Sequence, residues 1–301
     1  TDHAPLARYA AKHWVSHAQV ENVTSRVCEG MERLFDPDEP YFESWVRLHD
    51  ADEDAADNVY IYGQDNLKPG QEARPLYYAA LFGFHSIVEH LILKYPQHPS
   101  AAGGRLGSAL HSASFAGHLP IVQSLLRHGV HVDIRGHAQR TPLRYASWFG
   151  HCDVVQCLID HGSDVDTYDD DKSTPLMWAA TGGHIDVVRV LLKHKADINS
   201  KDNESWTPLH YTWGYNSKGY YPQVVRSLLE HGANANSRTA EGETPLHVVT
   251  RMRGNIDIAR ILLEHGADID AGDTGEAPLQ MALARGGEIA RLLSEYHSGR
   301  V

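Results

Sequence analysis

No apolar run in this 301-residue chain approaches the ~18 residues that a membrane-spanning helix needs. The first stretch, "TDHAPLARYAAKHW", lacks the apolar core of a secretory leader and opens on Thr, not Met. It reads as a processed chain or a piece of something longer. Cysteine is scarce, with only Cys28, Cys152 and Cys157. Three cysteines make no disulfide framework and suit a reducing compartment, so a cytoplasmic setting is expected. Positive charge is also short, 27 Lys and Arg against 39 Asp and Glu, for a formal charge of −12. Such a surface repels phosphate backbones and argues against nucleic acid as a partner. No G-x-x-x-x-G-K-[ST] stretch occurs, so no phosphate-cradling loop for a nucleotide is present in the sequence.

What is present is a repeat. A tetrapeptide recurs as "RPLY" (74–77), "SALH" (108–111), "TPLR" (141–144), "TPLM" (174–177), "TPLH" (207–210), "TPLH" (244–247) and "APLQ" (277–280). Its leucines stand at 76, 110, 143, 176, 209, 246 and 279, in steps of 34, 33, 33, 33, 37 and 33. Each tetrapeptide is followed by a small pair, a Gly-His or variant, a V-V-x-x-L-L run and an H-G-A-D stretch, as in "TPLMWAATGGHIDVVRVLLKHKADIN".

Each piece has a physical role. Thr141, Thr174, Thr207 and Thr244 are suited to cap a helix, and the Pro after each fits the first helical position, where a missing N–H costs nothing. The short first helix should end at a Gly such as Gly150 or Gly183. A second helix should begin near Asp153, Asp186 or Asp257, where a carboxylate meets the positive helix end. Its Val/Ile and Leu-Leu positions form the buried face. Gly129, Gly162, Gly232 and Gly266 stand where a left-handed residue would end that helix, and Lys195 stands in the same slot without the glycine's freedom.

This pattern resembles the ankyrin repeat family over about residues 70–297. The resemblance implies an all-α solenoid of seven helix-turn-helix units with β-hairpin loops, curved around a groove, in which neighbours bury what no single unit can. Units would start near 72, 106, 139, 172, 205, 242 and 275 of an ankyrin domain spanning 58–301. Residues 1–57 read as a helical cap, with "APLARYAAKHWVSHAQ", "VTSRVCEGMERLF" and "PYFESWVRLHD" as helices and Trp14, Leu34, Phe35 and Trp45 covering the first unit. The pattern "PLARYAAKHWVSHAQ…V…GMERLFDP" also resembles the linker that precedes ankyrin arrays in large fungal NACHT-type signalling proteins. That likeness implies the sensor or scaffold part of a larger machine.

Catalytic and metal chemistry find little support. The 21 histidines fall mostly into repeat slots. His128, His161, His194, His231 and His265 precede the second-helix end, where a ring N–H can meet the last carbonyls. His118, His151 and His184 follow the inter-helix Gly. One per unit does not converge on a metal. Cys152 beside His151 is a sequence neighbour, not a nucleophile pair. No cofactor and no catalytic residue is expected.

The family resemblance implies that a protein partner meets the hairpin tips and the exposed ends of the first helices. Those slots hold Phe82, Phe115, Trp148, Phe149, Tyr215 and Arg251, with Arg140 and Trp206 just before the Thr-Pro and Asp170 and Asp171 at a tip. Rings in such slots would form one apolar stripe, and Trp, Tyr and Arg supply most binding hot spots. Tyr78, Tyr145, Trp178 and Tyr211 hold the slot normally buried between helices and read as core. The step of 37 places an insertion, "YNSKGYY", between the two helices of the fifth unit. It adds Tyr215, Tyr220 and Tyr221 to the candidate surface, and Pro222 would open the second helix. The expected function is non-catalytic protein recognition by a monomer. The competing reading, an enzyme or small-ligand site in the aromatic groove, requires converging His, Asp or Cys side chains.

Overall fold

The computed structural model describes residues 25–38, 42, 74–213, 221–252, 255–272 and 276–299. The chain divides into two compact bodies, Thr1–His137 and Ala138–Val301. Both are built from short helix pairs.

The N-terminal body contains helices α1 (Ser25–Leu34), α2 (Arg74–Leu81) and α3 (His85–Lys94), then the strands β1 (Ala102–Gly104) and β2 (Gly107–Ser108), then α4 (Ala109–Ala116) and α5 (Leu119–Arg127). The two strands pair antiparallel, with Ala102 opposite Ser108. Ser108 starts α4, and its backbone N–H donates to His111 Nδ1 at 3.0 Å. Phe35, just past α1, is fully buried against Phe42 and Phe84, with ring centroids 5.4 and 5.8 Å away. Beside it Asp36 accepts from Lys94 Nζ and Tyr95 Oη, both at 2.6 Å. Phe35 therefore packs against Phe84, between α2 and α3. Trp14, Trp45, most of the 1–57 segment and its boundary with the array lie outside the described residues.

The C-terminal body contains α6 (Pro142–Phe149), α7 (Cys152–Asp160), α8 (Pro175–Gly182), α9 (Ile185–Lys193), a 3-10 turn (His210–Trp213), α10 (Pro222–Glu230), α11 (Pro245–Arg251), α12 (Ile256–Glu264), α13 (Pro278–Arg285) and α14 (Glu288–His297). Pro occupies the opening of α6, α8, α10, α11 and α13, where its fixed φ suits a helix start. Thr141 Oγ1 accepts the Arg144 N–H at 3.3 Å, and the N–H groups of Thr207 and Thr244 donate to His210 and His247 Nδ1 at 3.1 and 3.0 Å. The core is the repeated slot set, for example Leu143, Val154, Val155 and Leu158, then Leu176, Val187, Val188 and Leu191, all fully buried.

Two positions show why the repeat spells what it does. Gly150 and Gly183 end first helices at φ of 76 and 72°, and a Cβ would run into the His184 ring at the first and the Tyr221 ring at the second. The glycines admit the side chain that opens the next repeat's second helix. His184 uses that approach to donate from Nε2 to the Trp148 carbonyl at 2.9 Å, capping the preceding first helix. At Lys195 the left-handed turn is made without glycine, at φ 66°. That costs about 1 kcal/mol.

The fifth repeat departs from expectation. Its first element is one 3-10 turn, not an α-helix. Thr212 Oγ1 donates to the Leu209 carbonyl three residues back at 2.8 Å, an interaction that suits the tighter turn. Residues 214–220, including Tyr215 and Tyr220, lie outside the described residues, and α10 then opens on Pro222 as its sequence predicts.

Candidate functional site

The hairpin tips of the C-terminal body line up by backbone hydrogen bonds. Asp170 N–H donates to the Ala138 carbonyl, Asn203 N–H to Asp171 and Ala240 N–H to Glu204, at 3.1, 3.0 and 2.8 Å. Within two tips an Asp organises the loop in the same way. Asp169 Oδ1 accepts the N–H groups of Asp171 and Ser173, at 3.2 and 2.9 Å. Asp202 Oδ1 accepts those of Glu204 and Trp206, at 2.9 and 2.8 Å. The other carboxylate oxygen faces a ring nine residues on. Trp178 Nε1 donates to Asp169 Oδ2 at 3.3 Å, and Tyr211 Oη to Asp202 Oδ2 at 2.6 Å.

Those rings belong to a ladder. Trp148 lies 4.9 Å from Trp178 between centroids, Trp178 6.3 Å from Tyr211, Tyr211 5.9 Å from Trp206, and Trp206 6.0 Å from Trp213. All five rings are half-buried, while Asp170, Asp171, Glu204 and Glu241 at the neighbouring tips are exposed. The sequence reads Trp178 and Tyr211 as core, yet of the aromatic residues in that slot of this body Tyr145 is fully buried and these two are half-buried. The reason is that their polar edges are drawn to Asp169 and Asp202, toward the tips.

Under the ladder sits Arg144, 3% exposed. Its Nε donates to Asp169 Oδ2 at 3.1 Å, and its Cζ lies 4.0 Å from the Trp178 centroid and 5.1 Å from Trp148. Burial, followed by the nearby charge of Arg140, pulls its pKa down to about 10, so it stays charged at neutral pH. Burial also raises the pKa of Tyr211, and its bond to Asp202 adds to the effect.

The sequence-predicted residues fall into four groups. Trp148 and Trp206 are in the ladder, and Phe149 flanks it, 5.2 Å from Trp148. Asp170 and Asp171 are exposed at a tip, and Arg140 is half-buried just before the third repeat's Thr-Pro. Arg251 is half-buried and donates to Glu243 Oε2 at 2.9 Å, and Tyr221 is half-buried against Gly183. In the N-terminal body, Phe82 stacks 6.0 Å from Tyr78 and 6.1 Å from Phe84, and Phe115 is half-buried. Sequence reasoning missed Arg144, Trp178, Tyr211 and Trp213. A nine-residue offset from Asp to ring, repeated at 169/178 and 202/211, was the signal that could have found two of them.

The histidines act as single capping groups. His128, His161, His231 and His265 donate from Nδ1 to the carbonyl four residues back at 2.7–2.9 Å. Among the described residues no three His, Cys, Asp or Glu side chains are placed to hold a metal. Burial raises the thiol pKa values of Cys152 and Cys157, the opposite of what a nucleophile needs. Two clefts of about 480 and 360 Å³ are lined by residues between Arg189 and Ile261 and between Thr250 and Ile289, none of them a ladder residue. Among the described residues no helix is long and apolar enough to cross a membrane.

The family profile described as ankyrin repeats (3 copies) matches residues 76–169, 155–234 and 213–300. The chain belongs to the ankyrin-repeat family. Ankyrin repeats mark it as a protein–protein interaction module. Among solved structures it is similar to the human ASB11 ankyrin repeat domain, at 26% identity and a TM-score of 0.65, covering 73% of this chain and 96% of that one. Among curated proteins it is similar to "Azaphilone pigments biosynthesis cluster protein L" of Monascus ruber, 32% identical over 125 residues. That match takes in 36% of this ankyrin-repeat chain and spans 24% of the relative's length.

Proposed function

We propose that the chain recognises a protein partner, without catalysis, through the ladder face of its C-terminal body. One observation carries this reading: five half-buried rings in one line beside exposed carboxylates. A soluble surface rarely presents clustered aromatic area without an interaction to use it. Trp and Tyr at such a centre supply binding energy at low entropic cost. Tyr215 and Tyr220 extend the same surface in this reading, from the insertion that follows Trp213. The resemblance of the first residues to NACHT-type linkers supports a place as the sensor or scaffold part of a larger signalling protein, acting as a cytoplasmic monomer.

Replacing Trp148 and Trp206 together by Ala tests this. Two hot-spot rings at about 2 kcal/mol each predict a loss of roughly 1000-fold in partner affinity. Both rings are half-buried, so a matched thermal melt separates binding from folding. Affinity capture from the source organism, wild type against the double variant, reads the result. An unchanged set of captured proteins would sink the ladder as the recognition surface.

A further inference from the structure

The chain contains its own example of how this face holds a guanidinium. Arg144, from the third repeat, lies on the Trp178 ring at 4.0 Å and donates to Asp169 Oδ2 at 3.1 Å. The ring comes from the fourth repeat and the carboxylate from the hairpin that leads into it, and the two are themselves hydrogen-bonded, at 3.3 Å. Stacking on an indole face and one charge-assisted bond are the two interactions that distinguish arginine from other cations.

One repeat later the same receptor recurs, with Met177 in the place of its arginine. Asp202 stands 33 residues after Asp169, and Tyr211 stands 33 after Trp178. Their hydrogen bond is 2.6 Å, and the loop amides hold Asp202 Oδ1 as they hold Asp169 Oδ1. Trp206 adds a ring beside Tyr211, and Trp213 adds one beside Trp206. The position equivalent to Arg144 is Met177, fully buried, with its sulfur accepting the Thr174 N–H at 3.4 Å. Among the described residues no Lys or Arg pairs with Asp202. The burial differs accordingly. Asp169 is 4% exposed beneath its arginine, whereas Asp202 and Tyr211 remain partly open. The exposed Asp170, Asp171, Glu204 and Glu241 around the site add negative potential that favours approach of a cation.

We propose that Asp202, Tyr211, Trp206 and Trp213 form a receptor site for an arginine side chain of the protein partner. This rests on the ladder being the recognition surface. The guanidinium stacks on the rings and donates to Asp202 Oδ2, as Arg144 does to Asp169. The partner segment therefore carries an arginine within a stretch otherwise free of acidic residues.

Random dodecapeptides displayed on phage and selected on the full chain test the chemistry without knowledge of the natural partner. Selected peptides should contain arginine. Replacing that arginine by citrulline, which keeps the shape and removes the charge, should weaken binding more than 10-fold. Asp202→Asn keeps an acceptor for the loop amides and should weaken the arginine peptide to a similar degree while leaving the citrulline peptide unaffected. Met177→Arg, which installs the internal cation of the preceding repeat, should also block the site more than 10-fold and does not depend on the Asp202 loop being altered. If citrulline binds as well as arginine, or if neither Asp202→Asn nor Met177→Arg changes the affinity, the arginine site is wrong. If those same peptides still lose binding in the Trp148/Trp206 double variant, the ladder reading survives. If they are indifferent to both tryptophans, it falls as well.

Discussion

Replacing Arg144 by Met lowers the stability of the chain by about 3 kcal/mol, at the low end of the cost of breaking a buried ion pair. The methionine itself fits, because Met177 fills the equivalent position of the next repeat at no exposure. The damage is to Asp169, which is left as a buried carboxylate without a cation. It keeps three hydrogen bonds, from Asp171 N, Ser173 N and Trp178 Nε1, which is why the cost sits at the low end. A second change follows from this account. Arg144→Met combined with Asp169→Asn removes the stranded charge and should recover most of the loss. Urea unfolding of the two variants and of the wild type decides it. A single variant within about 1 kcal/mol of wild type would mean that the pair contributes little at this site.

Acid should destabilise the array before its carboxylates titrate. His210 is almost fully buried, with Nδ1 accepting the Thr207 N–H at 3.1 Å and Nε2 donating to the Glu243 carbonyl at 3.3 Å. Burial pulls its pKa from 6.5 down to about 4, against the opposing effect of the Glu243 bond. Burial lowers His247 and His184 as well. The unfolded chain therefore takes up protons first. The stability these groups contribute is fully present above pH ~6.5 and is lost as the pH falls toward 4. For His210 alone the limit is about 3 kcal/mol, from about 1.36 kcal/mol per pKa unit. The thermal midpoint should fall clearly between pH 7.5 and 5.0. In His210→Met, which copies the side chain standing 33 residues earlier at Met177, the slope of that fall should be shallower. Equal slopes in the two proteins would show that His210 is not the sensitive group.

The array was legible because its punctuation is local. Thr-Pro before a leucine sets a capped start, and the glycines at 150 and 183 end the first helices as their spacing predicts. Even Lys195 adopts the left-handed turn that its slot demands. The candidate site was legible only in part, because exposure there is decided by side chains distant in sequence. Trp178 stands in a slot that reads as core until Asp169 is seen holding its edge. Tyr221 reads as a free ring of an insertion until it is found packed on Gly183. Arg144 looks like an ordinary deviation from the usual His, and its burial makes sense only with Asp169 25 residues on. The shortened first element of the fifth repeat had no local sign in "TPLHYTW" at all.

One feature of the stack gives it a direction. Across the repeats of the C-terminal body the backbone donors come from the later repeat and their acceptors from the earlier one. The N–H groups of Asp170, Asn203 and Ala240 reach back to the preceding tip, and those of Asp197, Asn234 and Asp268 reach back to Asp166, Asn199 and Asn236. Peeling a repeat from the C-terminal side leaves the remaining stack with bare backbone acceptors, beside the Asn199 and Asn236 side-chain amides that donate forward to Gly232 and Gly266, while opening it on the N-terminal side frees backbone donors. Repeats with similar slots thus present different backbone edges at their two faces, acceptors toward the tail and donors toward the head.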